Sequence, residues 1–214
     1  MIRSAISIIS PRGLAGKLSI LIFHRVLPTI DPLFPNEPDA VRFDQMMGWI
    51  KSWFNVLPLD QAAAHLKSGT LPARAAAITF DDGYADNRTV ALPILKKHGL
   101  PATFFIATGF LDGGRMWNDT VIEAVRLADA PSLDLQALNL GIHENSTTVD
   151  KRRAIESIIG QLKYLPLAER IANSEQVAMT LGCVPPSNLM MTSGQVGELR
   201  AAGMQIGGHT VSHP

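Results

Sequence analysis

With a single cysteine, Cys183, the chain of 214 residues cannot close a disulfide within itself, and its stability has to come from a packed core. That leaves the redox compartment open. Basic and acidic side chains are balanced at 19 each, with no long run of either sign, which excludes the charged stripe that nucleic acid or anionic lipid would select. Long apolar runs are missing too. The first ten residues are followed by Arg12 and Lys17 before a secretory or membrane-spanning length is reached, so no transmembrane segment is expected and the start reads as cytoplasmic. Internal repeats and low-complexity tracts are likewise lacking. What remains is an ordinary globular composition, long enough to bury one sizeable core.

Short apolar runs alternate with amphipathic stretches in the order of β/α units. Residues 18–23, Leu-Ser-Ile-Leu-Ile-Phe, predict a strand buried on both faces, with His24-Arg25 at its C-terminal end. Phe43, Met46, Met47, Ile50 and Phe54 follow helical spacing. A strand over 55–59 and a helix over 60–67 come next, with Asp60 as N-cap. Strands over 75–80 and 102–107 flank a helix over 87–98 that Gly99 and Pro101 stop. The rhythm changes between about 112 and 186, where a site-like loop over 113–119 leads into mostly helical material. Within it, 133–140 suits a hairpin arm, and 150–162 and 166–181 read as helices. A helix over 193–202 and a strand over 204–208 then restore the earlier pattern. The expected organisation is an arm over 1–16 and one domain over 17–214, with the helical insertion inside it.

The chemistry gathers at strand ends, where α/β barrels and open parallel sheets place their sites. Ile78-Thr79-Phe80-Asp81-Asp82-Gly83 drives an apolar strand into two adjacent carboxylates. Successive strand residues point to opposite faces, so both acids project into one site only if the chain bends at once. Gly83 permits that bend. His209 and His213 stand four positions apart, one above the other if that stretch is a helical turn. Two imidazoles and one carboxylate would leave a zinc ion an open position for a water with a pKa near about 7, while the second carboxylate served as base. Asp-Asp-Gly after a strand is by itself often only a turn. The distant histidine pair is what turns it into a candidate site.

These two segments resemble the first two motifs of the polysaccharide deacetylases, the NodB-type domain of carbohydrate esterase family 4, written T-F-D-D-G and H-[ST]-x-x-H. The similarity runs from Ile20-Leu21-Ile22-Phe23-His24-Arg25-Val26 to the end of the chain. It implies an α/β fold, an incomplete distorted (β/α)7 barrel with a helical insertion. It also implies metal-dependent hydrolysis of acetyl groups from N-acetylated sugars of a surface polysaccharide. By the resemblance Asp81 is the catalytic base, Asp82, His209 and His213 are ligands of a divalent metal, most simply Zn²⁺, and Thr210 steadies the loop. Substrate contacts are expected of His24 at its strand end and of Trp117, Asn118 and Asp119 through stacking and hydrogen bonds.

The family pattern continues with an arginine-containing segment, further strands and a late histidine that protonates the leaving amine, none of which this chain carries. The expectation is therefore the N-terminal part of a longer enzyme, with the 214-residue form itself inactive. The alternative is a metal-binding fragment of the same ancestry without turnover. Partners are expected to be acetylated oligo- or polysaccharides. His65, His98 and His143 fit helix surfaces or loops, and Cys183 fits as a small apolar filler beside Pro185 and Pro186.

Overall fold

A computed structural model describes residues 2–213; Met1, which begins the expected arm, and Pro214 lie outside them. The chain divides into two compact units, one formed by residues up to 31, 36–112 and 190–213, the other by 32–35 and 113–189.

The first unit is built on a parallel sheet. Its strands are β1 (Ser19–Phe23), β2 (Asn55–Val56), β3 (Ala75–Phe80), β4 (Thr103–Ile106) and β7 (Gln205–Gly208), ordered β1-β3-β4-β7, with β2 beside the start of β3. Every residue of β3 is buried, as a central parallel strand requires. Register aligns Phe23 with Phe80 and Phe80 with Phe104, and the three rings stack at centroid distances of 5.4 and 4.7 Å. This row ties the ends of β1 and β3 to the start of β4, one residue before Asp81. Helices α2 (Ala40–Trp53), α4 (Leu92–His98) and α8 (Ser193–Ala201) cover that face through Phe43, Met47, Ile50, Leu95 and Leu199.

Burial of β1 on both faces is not observed. Leu21 and Phe23 pack on the core, but Ile20 and Ile22 on the opposite face are 49% and 59% exposed. The strand pairs only with β3 among the described residues, and the covering helices reach one face alone. The strand expected over 55–59 is also shorter, because α3 (Leu59–Ser68) already begins after Pro58, which displaces Asp60 from the cap into the first turn. The helix expected over 87–98 opens instead as a π-turn, Asn87–Ala91, before α4, since Pro93 in α4's first turn lacks the N–H that an unbroken ladder would use. A short helix, α1 (Ile2–Ile9), lies in the expected N-terminal arm.

The second unit holds α5 (Trp117–Leu127), the antiparallel pair β5 (Ser132–Asp134) and β6 (Ile142–Glu144), α6 (Thr148–Leu162) and α7 (Leu167–Thr180). Its own core contains Trp117, Val121, Val125, Leu133, Leu135, Ile158 and Val177. A capping box between Thr147 and Asp150 starts α6. No helix among the described residues is long and apolar enough to cross a membrane.

Candidate metal centre

Strand β3 delivers Asp81 at the height of Phe23, whose carbonyl accepts the Asp81 N–H at 2.9 Å. The parallel ladder ends there. Asp82 takes φ 74° and Gly83 φ 90°, so the chain reverses its side-chain alternation within two residues. A side chain at Gly83 would press on the Ile106 side chain at 3.1 Å, a tight contact that adds to the conformational demand for glycine. The turned backbone is pinned on two sides: the Asp82 carbonyl accepts from Ala107 N–H at 3.0 Å, and the Gly83 carbonyl from Met191 N–H at 2.9 Å. Asp82 is buried as a result, 5% exposed, while Asp81 is partly open to solvent.

The histidines follow β7. They do not sit on a helical turn: residues 209–213 form a bend in which Thr210 and His213 adopt φ 63° and 47°. Thr210 Oγ1 accepts the His213 N–H at 3.0 Å and closes the bend. The rings end 5.4 Å apart, tilted by 37°.

One carboxylate oxygen now faces both imidazoles. Asp82 Oδ1 lies 3.4 Å from His209 Nε2 and 3.4 Å from His213 Nε2, and the three ligand atoms lie within 4.8 Å of one another. Those separations exceed a good charge-assisted hydrogen bond, and Asp82 Oδ1 is buried without a hydrogen-bond partner. Two donors each about 2.0–2.1 Å from a tetrahedral zinc stand roughly 3.3–3.4 Å apart. An orphaned buried oxygen at that spacing from two imidazole nitrogens fits a metal ion between them better than it fits a direct ion pair. The donor set, two nitrogens and one carboxylate oxygen, suits zinc with a coordination position to spare.

His24 lies in the same unit with an exposed side chain, and its carbonyl accepts from Asn87 Nδ2 at 2.9 Å. Trp117, Asn118 and Asp119 belong to the second unit, and they form the first turn of α5 rather than a loop. Asp119 accepts the Met116 N–H at 3.1 Å as a cap, and the Trp117 ring is buried beneath the Arg170 guanidinium at 5.1 Å. Asn118 Oδ1 is buried without a hydrogen-bond partner.

Sequence reasoning passed over Asp86. It is buried, pairs with Arg25 Nε at 2.8 Å, and accepts from Val26 N–H and Asn87 Nδ2, both at 3.2 Å. Burial pushes its carboxyl above the usual range, against the lowering by Arg25 and these hydrogen bonds. Arg25 also lies 4.5 Å over the Tyr84 ring. Burial likewise raises Glu37, offset by the charges of His24 and Arg25. The available signal was a third acid four residues beyond Asp82, opposite an arginine at another strand end.

Comparison with known proteins places the chain beside one family. Residues 68–132 match the family model described as polysaccharide deacetylase. A putative polysaccharide deacetylase of Bacillus subtilis is 34% identical over 93 residues, 42% of this chain and 32% of the relative. The poly-β-1,6-N-acetyl-D-glucosamine N-deacetylase of Staphylococcus aureus is 31% identical over 104 residues, 48% of this chain and 36% of the relative. The match thus spans about a third of the length of these curated relatives. In fold, the chain is similar to a Streptococcus pyogenes deacetylase solved with acetate, with TM-score 0.50, 21% identity, and coverage of 92% of this chain and 58% of that one. The fold is therefore the parallel α/β arrangement of the deacetylase barrels. The resemblance to the polysaccharide deacetylases is borne out as a likeness: the matched residues 68–132 contain the first motif with Asp81 and Asp82, and His209 and His213 lie outside them.

Proposed function

We propose that this chain carries the metal centre of a zinc-dependent deacetylase acting on N-acetylated sugars of a surface polysaccharide. The observation that carries the reading is Asp82 Oδ1, buried, unbonded and 3.4 Å from each of two histidine nitrogens. Asp82, His209 and His213 hold the ion. A divalent metal there supplies Lewis acidity toward the acetyl carbonyl and lowers the pKa of the attacking water. Asp81, one residue before the bend and partly open to solvent, would serve as the base that accepts a proton from the attacking water. His24, exposed in the same unit, contacts the sugar. Support for the substrate class comes from the Staphylococcus aureus relative, which is named for an N-acetylglucosamine polymer. Trp117 and Asp119 are engaged in building the start of α5, beneath Arg170 and as its cap. A second reading is metal binding by the same three ligands without turnover.

The test is a series measured by zinc titration and acetate release from N-acetylglucosamine oligomers. The parent should bind about one zinc per chain, and His209→Ala and His213→Ala should lose it. Asp81→Asn should keep the metal and lower acetate release by roughly 10² to 10⁴. Zinc uptake unchanged in both histidine variants would overturn the ligand set. Zinc uptake with no acetate released by the parent would select the second reading.

A further inference from the structure

The two halves of the metal centre come from strands far apart in sequence, and one short backbone segment joins them. Residues 106–109, which leave β4 and enter a 3₁₀ turn (Thr108–Phe110), bond to both. On one side Ala107 N–H donates to the Asp82 carbonyl at 3.0 Å. On the other, the Ile106 carbonyl accepts from His209 N–H at 2.8 Å, Thr108 N–H donates to the Thr210 carbonyl at 3.2 Å, and Gly109 N–H donates to the Val211 carbonyl at 2.8 Å. The separation between the carboxylate and the imidazoles is therefore set through this segment.

Its tightest point is Gly109. A Cβ there would lie 2.5 Å from the Val211 carbonyl oxygen and 3.3 Å from the Val211 carbonyl carbon, both backbone atoms. Gly109 does not adopt positive φ, so conformation alone would admit any residue. The space is what excludes them. Thr108 and Gly109 are exposed, as are Thr210 and Val211, so relief of the clash parts the turn from the histidine bend. That bend carries both imidazoles.

We infer that Gly109 is a positioning residue for the metal centre: its missing side chain lets the 3₁₀ turn template the histidine bend at the spacing a metal ion needs. This rests on the assignment of Asp82, His209 and His213 as ligands. Groups supporting metal ligands from outside typically contribute about 10–100-fold to affinity.

The test compares the parent with Gly109→Ala, with Thr108→Pro, which deletes one donor of the template and adds nothing beside Val211, and with Gly197→Ala, a control on α8 with open space around it. Zinc affinity is measured by competition with a chromophoric chelator, cobalt coordination by visible absorption, and folding without metal by circular dichroism. Gly109→Ala should bind zinc about 10–100-fold more weakly, with an altered cobalt spectrum and helix content like the parent's. Thr108→Pro should weaken binding several-fold, and Gly197→Ala should match the parent. Parent-like affinity and cobalt spectrum in Gly109→Ala would overturn the inference while leaving the ligand assignment intact. Failure of the parent to bind either metal would overturn the assignment first and the inference with it. Should Gly109→Ala not fold, parent-like affinity in Thr108→Pro overturns the inference.

Discussion

At the scale of single residues, the third acid of the region, Asp86, shows how the end of β1 is held against the acidic turn. Its carboxyl is raised by burial, and the Arg25 guanidinium beside it acts in the opposite direction. Removing one partner of such a pair leaves an uncompensated buried charge. Arg25→Ala should therefore destabilise the protein by about 3 kcal/mol at neutral pH. The sign with pH follows from the direction of the shift. A carboxyl whose folded pKa lies above its unfolded value favours folding when protonated, so its contribution is present below the ordinary carboxylate range and lost as pH rises through the folded pKa. In Arg25→Ala that pKa moves higher still, so the deficit should shrink on acidification, and Arg25→Ala with Asp86→Asn should recover most of it at neutral pH. Urea unfolding of the two single variants and the double variant between pH 4 and 7 checks this. A deficit independent of pH, or no coupling in the cycle, would show that the pair is not the source.

At the scale of elements, strand β3 and the turn after it were legible because continuous small and β-branched apolar residues followed by Asp-Asp-Gly admit few alternatives. The bend of His209–His213 was not, because spacing of four suits a helix equally, and only the Thr210 hydroxyl and the Thr108–Phe110 turn decide otherwise. Trp117 to Asp119 misled for a related reason. Glycines at 113 and 114 signal a loop, while the cap that starts α5 is made by Asp119 reaching back to Met116, a contact that propensity does not show. The start of α8 illustrates the same economy: Asp112 accepts from both the N–H and the hydroxyl of Ser193, at 2.7 and 2.6 Å, and these bonds hold its carboxyl below the usual range. A lowered carboxyl contributes stability above its unfolded pKa and loses it as pH falls through the folded one. Asp112→Asn should therefore be less stable than the parent at pH 7 and should show a smaller further loss below about pH 4. Thermal midpoints measured from pH 7 to 3 decide it, and parallel curves for the two proteins would rule it out.

At the scale of the whole chain, the division into two cores has thermodynamic consequences that the metal centre makes measurable. All three proposed ligands and their backbone supports fall in the first unit, while the core around Ile158 belongs wholly to the second. A ligand that binds only the folded form stabilises the cooperative unit containing its site, by about 2.7 kcal/mol at a hundred times the dissociation constant. Zinc should raise the unfolding temperature of the first unit and leave that of the second in place. Ile158→Ala removes a fully buried side chain, and by the usual cost of such a truncation should lower the second unit's transition by an amount corresponding to about 2–5 kcal/mol. It should leave zinc affinity unchanged, since none of the ligands packs in that core. Differential scanning calorimetry of the parent and Ile158→Ala, each with and without zinc, separates the contributions. If both perturbations shift one shared transition, the two cores unfold as a single cooperative body and the division seen in the contacts has no energetic counterpart.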